Sequence, residues 1–128
     1  MEVDRELLIS AARQALEMAI APLSGYMVGA ALLTAEGKIY SGCNIENTSL
    51  SLSICAERVA LLKALSEGER EFKAIAIVSS GLSHCPPCGA CRQMLYEFAP
   101  HIEVIMTDPK GKVLSTKIEE LLPLPFDH

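Results

Sequence analysis

The sequence has no tryptophan and only three tyrosines and three phenylalanines, so any core it builds must be aliphatic rather than aromatic. It also has no run of lysine or arginine. With 11 basic against 16 acidic residues its formal charge is −5, which argues against a surface that tracks nucleic-acid phosphates. A long apolar run is missing too. The most apolar stretch, Ala19 to Leu33, is interrupted by Pro22, Ser24, Gly25 and Gly29, whereas a membrane helix needs about 20 largely unbroken apolar residues. The opening Met1-Glu2-Val3-Asp4-Arg5-Glu6 is acidic where a secretory leader is basic, so a cytoplasmic chain without membrane attachment is expected.

Half of the 128 residues are hydrophobic and 21% are charged, which excludes the composition of a disordered chain. The length fits one domain over residues 1–128, without linker or internal repeat. Five cysteines, an odd number, in a chain large enough to stand without staples argue against a disulfide framework and for metal binding or catalysis. The apolar surplus implies either a Leu- and Ala-rich core or surface reserved for other subunits.

Leu7, Leu8, Ala11, Ala12, Ala15, Leu16 and Ala19 recur at three- and four-residue spacing, which predicts a helix over Asp4 to Ala19, stopped by Pro22 and Gly25. Tyr26 to Thr34 and Lys38 to Cys43, joined at Ala35-Glu36-Gly37, read as a hairpin. A buried helix over Cys55 to Leu65, a strand over Phe72 to Val78 and a helix over Gly89 to Phe98 follow. The chain then gives a strand over Ile102 to Thr107, a short strand near Val113 and a last helix over Thr116 to Leu122. A hairpin followed by alternating helix and strand predicts an α/β fold, a three-layer α/β/α sandwich with a mixed five-stranded sheet.

The chemistry concentrates in Cys55-Ala56-Glu57 and Pro87-Cys88-Gly89-Ala90-Cys91. Cysteines at i and i+3 at a helix start share one face, so Cys88 and Cys91 can grip one ion, and Cys55 at another helix start supplies a third thiolate. Three protein ligands leave a tetrahedral position for water, the arrangement of a catalytic zinc site, where bound water ionises at about pH 7. Glu57 is placed to shuttle protons. Zinc with three thiolates carries a net negative charge, so an offset is needed. Two helix N-termini and Arg58, three residues beyond Cys55, can provide it.

Cys55-Ala56-Glu57-Arg58 and Pro87-Cys88-Gly89-Ala90-Cys91-Arg92-Gln93 resemble the zinc motifs of the cytidine deaminases, and Cys43-Asn44-Ile45-Glu46-Asn47 resembles that family's nucleoside-binding segment. The similarity runs from Val28-Gly29-Ala30-Ala31-Leu32 to Glu120-Leu121-Leu122-Pro123. It implies one Zn2+ per chain on Cys55, Cys88 and Cys91, with Glu57 as catalytic acid and base in the hydrolysis of cytidine, and of deoxycytidine, in pyrimidine salvage. It further implies that Asn44 and Glu46 hold the ribose hydroxyls, that the Ala56 backbone touches the base, and that Tyr26 packs beside sugar and base. Phe126 is implied to reach a neighbouring subunit's site in a homotetramer. Leu23, Gly25 and Tyr26 depart from the family's usual residues at that loop.

Blander readings compete. Cys85, in Cys85-Pro86-Pro87-Cys88, is a conceivable fourth ligand that would close the site into a structural zinc knuckle, but this leaves Glu57, Asn44 and Glu46 unexplained. Cys43 reads as a small buried residue, His84 as loop decoration, and His101 and His128 as surface residues. Among enzymes, Cys55 in place of histidine disfavours the nucleotide, guanine and tRNA-editing relatives. Blasticidin deaminases share a three-cysteine site but fit Asn44, Glu46 and Arg58 less well.

Overall fold

The computed structural model describes residues 3–127 and has ten elements in the order α1 (Arg5–Leu16), β1 (Val28–Thr34), β2 (Ile39–Cys43), a 3-10 turn (Leu50–Leu52), α2 (Ala56–Ser66), β3 (Phe72–Ser79), α3 (Gly89–Phe98), β4 (Glu103–Thr107), β5 (Val113–Lys117) and α4 (Ile118–Leu121). His128 lies outside the described residues. The strands form one mixed sheet in the order β2-β1-β3-β4-β5, in which β3 and β4 are parallel and every other neighbouring pair is antiparallel.

The three layers follow from the period of two along each strand. Ala30 and Leu32 of β1, Ile75 and Ile77 of β3, and Val104 and Met106 of β4 face one way. They pack under Ala56, Ala60, Leu61 and Ala64 of α2, Leu95 of α3 and Ile118 of α4. Ala31, Leu33, Ala74, Ala76, Val78 and Ile105 face the other way, against Leu8, Ile9 and Ala12 of α1. Covered on both sides, β1 is buried along its whole length and reads Val-Gly-Ala-Ala-Leu-Leu-Thr, a continuous run without alternation. The cores are aliphatic, as the shortage of aromatic residues requires.

Two expectations need correction. Leu7 is exposed, because α1 turns Leu8, Ile9 and Ala12 inward and leaves Leu7 off that stripe. Thr116 and Lys117 belong to β5 rather than to the last helix. They pair with Val104 and Glu103, and α4 begins only where the Ile118 amide reaches the Ile102 carbonyl at 3.0 Å.

The helix that carries the first motif lies directly on strand backbone. A methyl group at Gly42 of β2 would come within 2.7 Å of the Ala60 nitrogen and 2.8 Å of the Ala56 carbonyl, so only glycine lets α2 approach this closely. α3 bridges the parallel pair β3 and β4 on the same face, which brings the N-termini of α2 and α3 side by side.

Candidate active site

Cys55 and Cys88 are the residues immediately before α2 and α3, both in extended conformation. Neither thiol caps its own helix. Each points instead at the gap between the two helix starts, where Cys55 Sγ lies 3.6 Å from Cys88 Sγ, and Cys88 Sγ lies 3.4 Å from Cys91 Sγ. Among the described residues these three sulfurs form a group within 4.8 Å of one another. A disulfide needs about 2.05 Å, and all three cysteines are free. A tetrahedral zinc ion with bonds of about 2.3 Å holds its sulfur ligands about 3.8 Å apart, so the spacing and the all-sulfur donor set fit zinc.

The electrostatics suit thiolates. Hydrogen bonding from the Cys91 thiol, then from Arg58 and Cys88, brings Cys55 down to about 5, while the same contact and burial push Cys91 up. Arg58 Nη2 lies 3.6 Å from Cys55 Sγ, so the guanidinium sits against the thiol as its spacing predicts. The helix N-termini add positive potential from two sides. Glu57, in the first turn of α2, is only 4% exposed, and burial, aided by the charge of Cys55, raises it to about 7. A carboxyl in such surroundings can hold or release a proton near neutrality.

Cys55, Glu57 and Cys88 line a cavity of about 420 Å³, within the usual range for small-molecule sites. Ala56 belongs to the same lining, and Ser24, Asn44 and Glu46 add polar groups to it. Tyr26, Val28, Ile54, Cys85 and Pro86 complete much of the wall. The Tyr26 hydroxyl donates to Ser79 Oγ at 3.1 Å, and Gly81 leaves room for its ring, since a methyl there would lie 2.6 Å from Tyr26 Cε1. Asn44 and Glu46 are already engaged. Asn44 Oδ1 accepts from the Val28 amide and Nδ2 donates to the Tyr26 carbonyl, both at 2.8 Å, which leaves one N–H and one lone pair for a ligand.

Phe126 does not line the cavity; it is 76% exposed. Its amide donates to Gln93 Oε1 and its carbonyl accepts from Gln93 Nε2, each at 3.0 Å. Arg92 bridges the Pro87 carbonyl at 2.7 Å and the Leu121 carbonyl at 2.8 Å, pinning the metal loop to the C-terminal segment. Sequence reasoning gave no role to Arg92, Gln93, Ser24 or Pro86; only their nearness to the two motifs and to the Pro22–Gly25 turn could have signalled them. Cys85 stands apart from the three-thiol group as cavity wall, where burial raises its thiol. His84 Nε2 lies 3.2 Å from the Lys112 carbonyl and is not part of the lining.

On an α/β/α scaffold, a soft metal centre opening into a cleft beside a buried proton donor defines a metal-dependent hydrolytic enzyme. The family model for the cytidine and deoxycytidylate deaminase zinc-binding region matches residues 1–107. The chain is 46% identical over 125 residues to the cytidine deaminase of Sporosarcina psychrophila, covering 97% of this chain and 92% of that one. The cytidine deaminase of Halalkalibacterium halodurans is also 46% identical over 125 residues, with 97% and 95% covered. The crystal structure of cytidine deaminase from Burkholderia pseudomallei superposes with a TM-score of 0.93 at 46% identity, covering 97% of this chain and 100% of that one. The chain belongs to the cytidine and deoxycytidylate deaminase family, and its metal is zinc.

Proposed function

We propose that the chain hydrolyses cytidine and deoxycytidine to uridine or deoxyuridine plus ammonia, as an enzyme of pyrimidine salvage. The observation that carries this reading is the buried carboxyl of Glu57 beside three convergent thiols, in a cavity that also presents Asn44 and Glu46. The full-length similarity to named cytidine deaminases supports it.

Cys55, Cys88 and Cys91 hold one zinc ion per chain, which supplies the Lewis acidity that makes hydroxide available near neutral pH. Glu57 takes a proton from the attacking water and passes one to N3 of the cytosine ring, so that C4 becomes tetrahedral without charge building up on the ring. The same carboxyl then moves the hydroxyl proton to the amino group. The C4–N bond breaks, C4=O forms and ammonia leaves neutral. Arg58 stabilises the Cys55 thiolate. Asn44 offers its remaining N–H and lone pair, and Glu46 its carboxylate, to the sugar hydroxyls, while the Ala56 backbone and the Tyr26 ring bracket base and sugar.

Residues 1–128 act as one domain. The chain is further proposed to act in the cytoplasm as a homotetramer in which Phe126 contributes to a neighbour's site; large apolar side chains such as Leu50, Leu52 and Leu62, exposed in the single chain, support contact between subunits. Among the described residues no helix is long and apolar enough to cross a membrane.

The decisive experiment follows the ultraviolet absorbance of cytidine with zinc-loaded protein. Turnover is expected, and protein carrying one zinc per chain without turnover refutes the reading. Glu57→Gln keeps its metal and loses roughly a hundred- to ten-thousand-fold in rate, the usual share of a general acid and base.

A further inference from the structure

The loop between α1 and β1 holds Glu46 more firmly than a surface carboxylate is ordinarily held. Glu46 Oε1 accepts from the Leu23 amide at 2.9 Å and from the Ser24 amide at 3.1 Å, and Oε2 accepts from the Ser24 hydroxyl. An ionised carboxylate has about four acceptor positions, so three of them are filled from within the chain and one remains, on Oε2. The Ser24 oxygen in turn accepts from the Tyr26 amide at 3.0 Å. That bond leaves the hydroxyl proton for Glu46 and ties together Ser24, Tyr26 and Glu46, three residues that line the same cavity.

We infer that Ser24 is a positioning residue for substrate recognition: its hydroxyl fixes the rotation of the Glu46 carboxylate so that one acceptor position stays available to one sugar hydroxyl. The two backbone amides grip only Oε1, and the terminal torsion of a glutamate is otherwise broad. Without the Ser24 hydroxyl, Oε2 swings, and a substrate must order the carboxylate as it binds. The effect falls on binding of the sugar and leaves the reacting end untouched. This inference rests on the reading of Glu46 as a sugar contact.

The test compares cytidine as substrate with 2′,3′-dideoxycytidine as competitor, which lacks the 2′ and 3′ hydroxyls, the pair on which this inference places the Glu46 contact. Ser24→Ala keeps both backbone bonds to Oε1, leaves the exposed Tyr26 amide to water, and raises KM for cytidine roughly tenfold, the scale of one hydrogen bond to a charged group, with kcat essentially unchanged. The inhibition constant of the dideoxy compound stays at its parent value, and Ser24→Thr, which retains the hydroxyl, restores KM. In a Glu46→Ala background Ser24→Ala adds nothing further, as expected for a residue that acts through another. An unchanged KM in Ser24→Ala overturns the inference. So does an equal loss for both ligands, or in both backgrounds, since a loop-folding role would act on any ligand. If Glu46→Ala itself leaves KM for cytidine unchanged, the sugar contact fails first and the inference with it.

Discussion

Removing the metal tests how far the site contributes to stability as well as to chemistry. Cys55 and Cys88 are themselves about 33 residues apart, with α2 and β3 between them. A link closing a loop of that length removes loop entropy worth about 4 kcal/mol at room temperature. Mass action gives a similar figure, about 4 kcal/mol when free metal exceeds its dissociation constant a thousandfold. For a domain of this size the melting temperature should therefore fall by roughly 10–20 °C on chelation. The fold itself should survive, because neither apolar cluster includes any of the three ligand thiols. This differs from a zinc finger, which is unfolded without its ion. Without tryptophan the assay is far-ultraviolet circular dichroism on protein stripped by a chelator and checked by elemental analysis, with zinc added back as control. A stripped protein that melts within a couple of degrees of the loaded one refutes the linking argument. One already unfolded at room temperature refutes the claim that the aliphatic cores suffice.

Three further outcomes follow from named contacts. Arg58→Ala removes the donor at Cys55 Sγ and should weaken zinc binding roughly 10- to 100-fold in competition with a chromophoric chelator; unchanged affinity would make Arg58 an ordinary helix charge. Asn44→Ala deprives the Val28 amide and the Tyr26 carbonyl of their partner and should lower unfolding stability by about 1–3 kcal/mol in a denaturant titration, so a variant as stable as its parent would show that the clamp is dispensable. Burial pushes the Glu103 carboxyl up, but hydrogen bonds from Ser115 and Arg5 outweigh it and hold the group below its usual range. A depressed folded-state value means that its contribution is complete above the ordinary glutamate range and disappears as pH falls through the lowered value. Glu103→Gln should thus cost about 0.5–1 kcal/mol at neutral pH and nothing in strong acid, and a loss independent of pH would contradict this.

The metal end was readable in the sequence because its geometry is local. Cysteines three residues apart at a helix start, and a third cysteine directly before another helix, fix their own directions, and α3 begins and ends where Gly89 and Phe98 place it. The sheet was readable for the same reason, since a run such as Ala74 to Val78 within β3 is apolar without alternation only when both faces are covered. Closure through space was harder to read. Ser24 and Glu46 are separated by β1 and β2, and no periodicity announces that a loop hydroxyl will meet a carboxylate. Gln93 and Phe126 pair across two strands and a helix. Thr116 and Lys117 have side chains that suit a helix start or a strand end, and only the neighbouring β4 backbone decides between them.

Gly42 sets a tolerance for the whole catalytic assembly. It touches no substrate, yet a methyl group there would have to displace the Ala56–Ala60 backbone by several tenths of an ångström, and a helix moves as a stiff rod that carries Cys55 with it. Metal–ligand bonds accept errors of only about 0.2 Å. The alignment of a reactive centre on one side of α2 is therefore calibrated from its other side by the absence of a side chain. An engineer repacking β2 should treat that empty space as part of the enzyme's working dimensions.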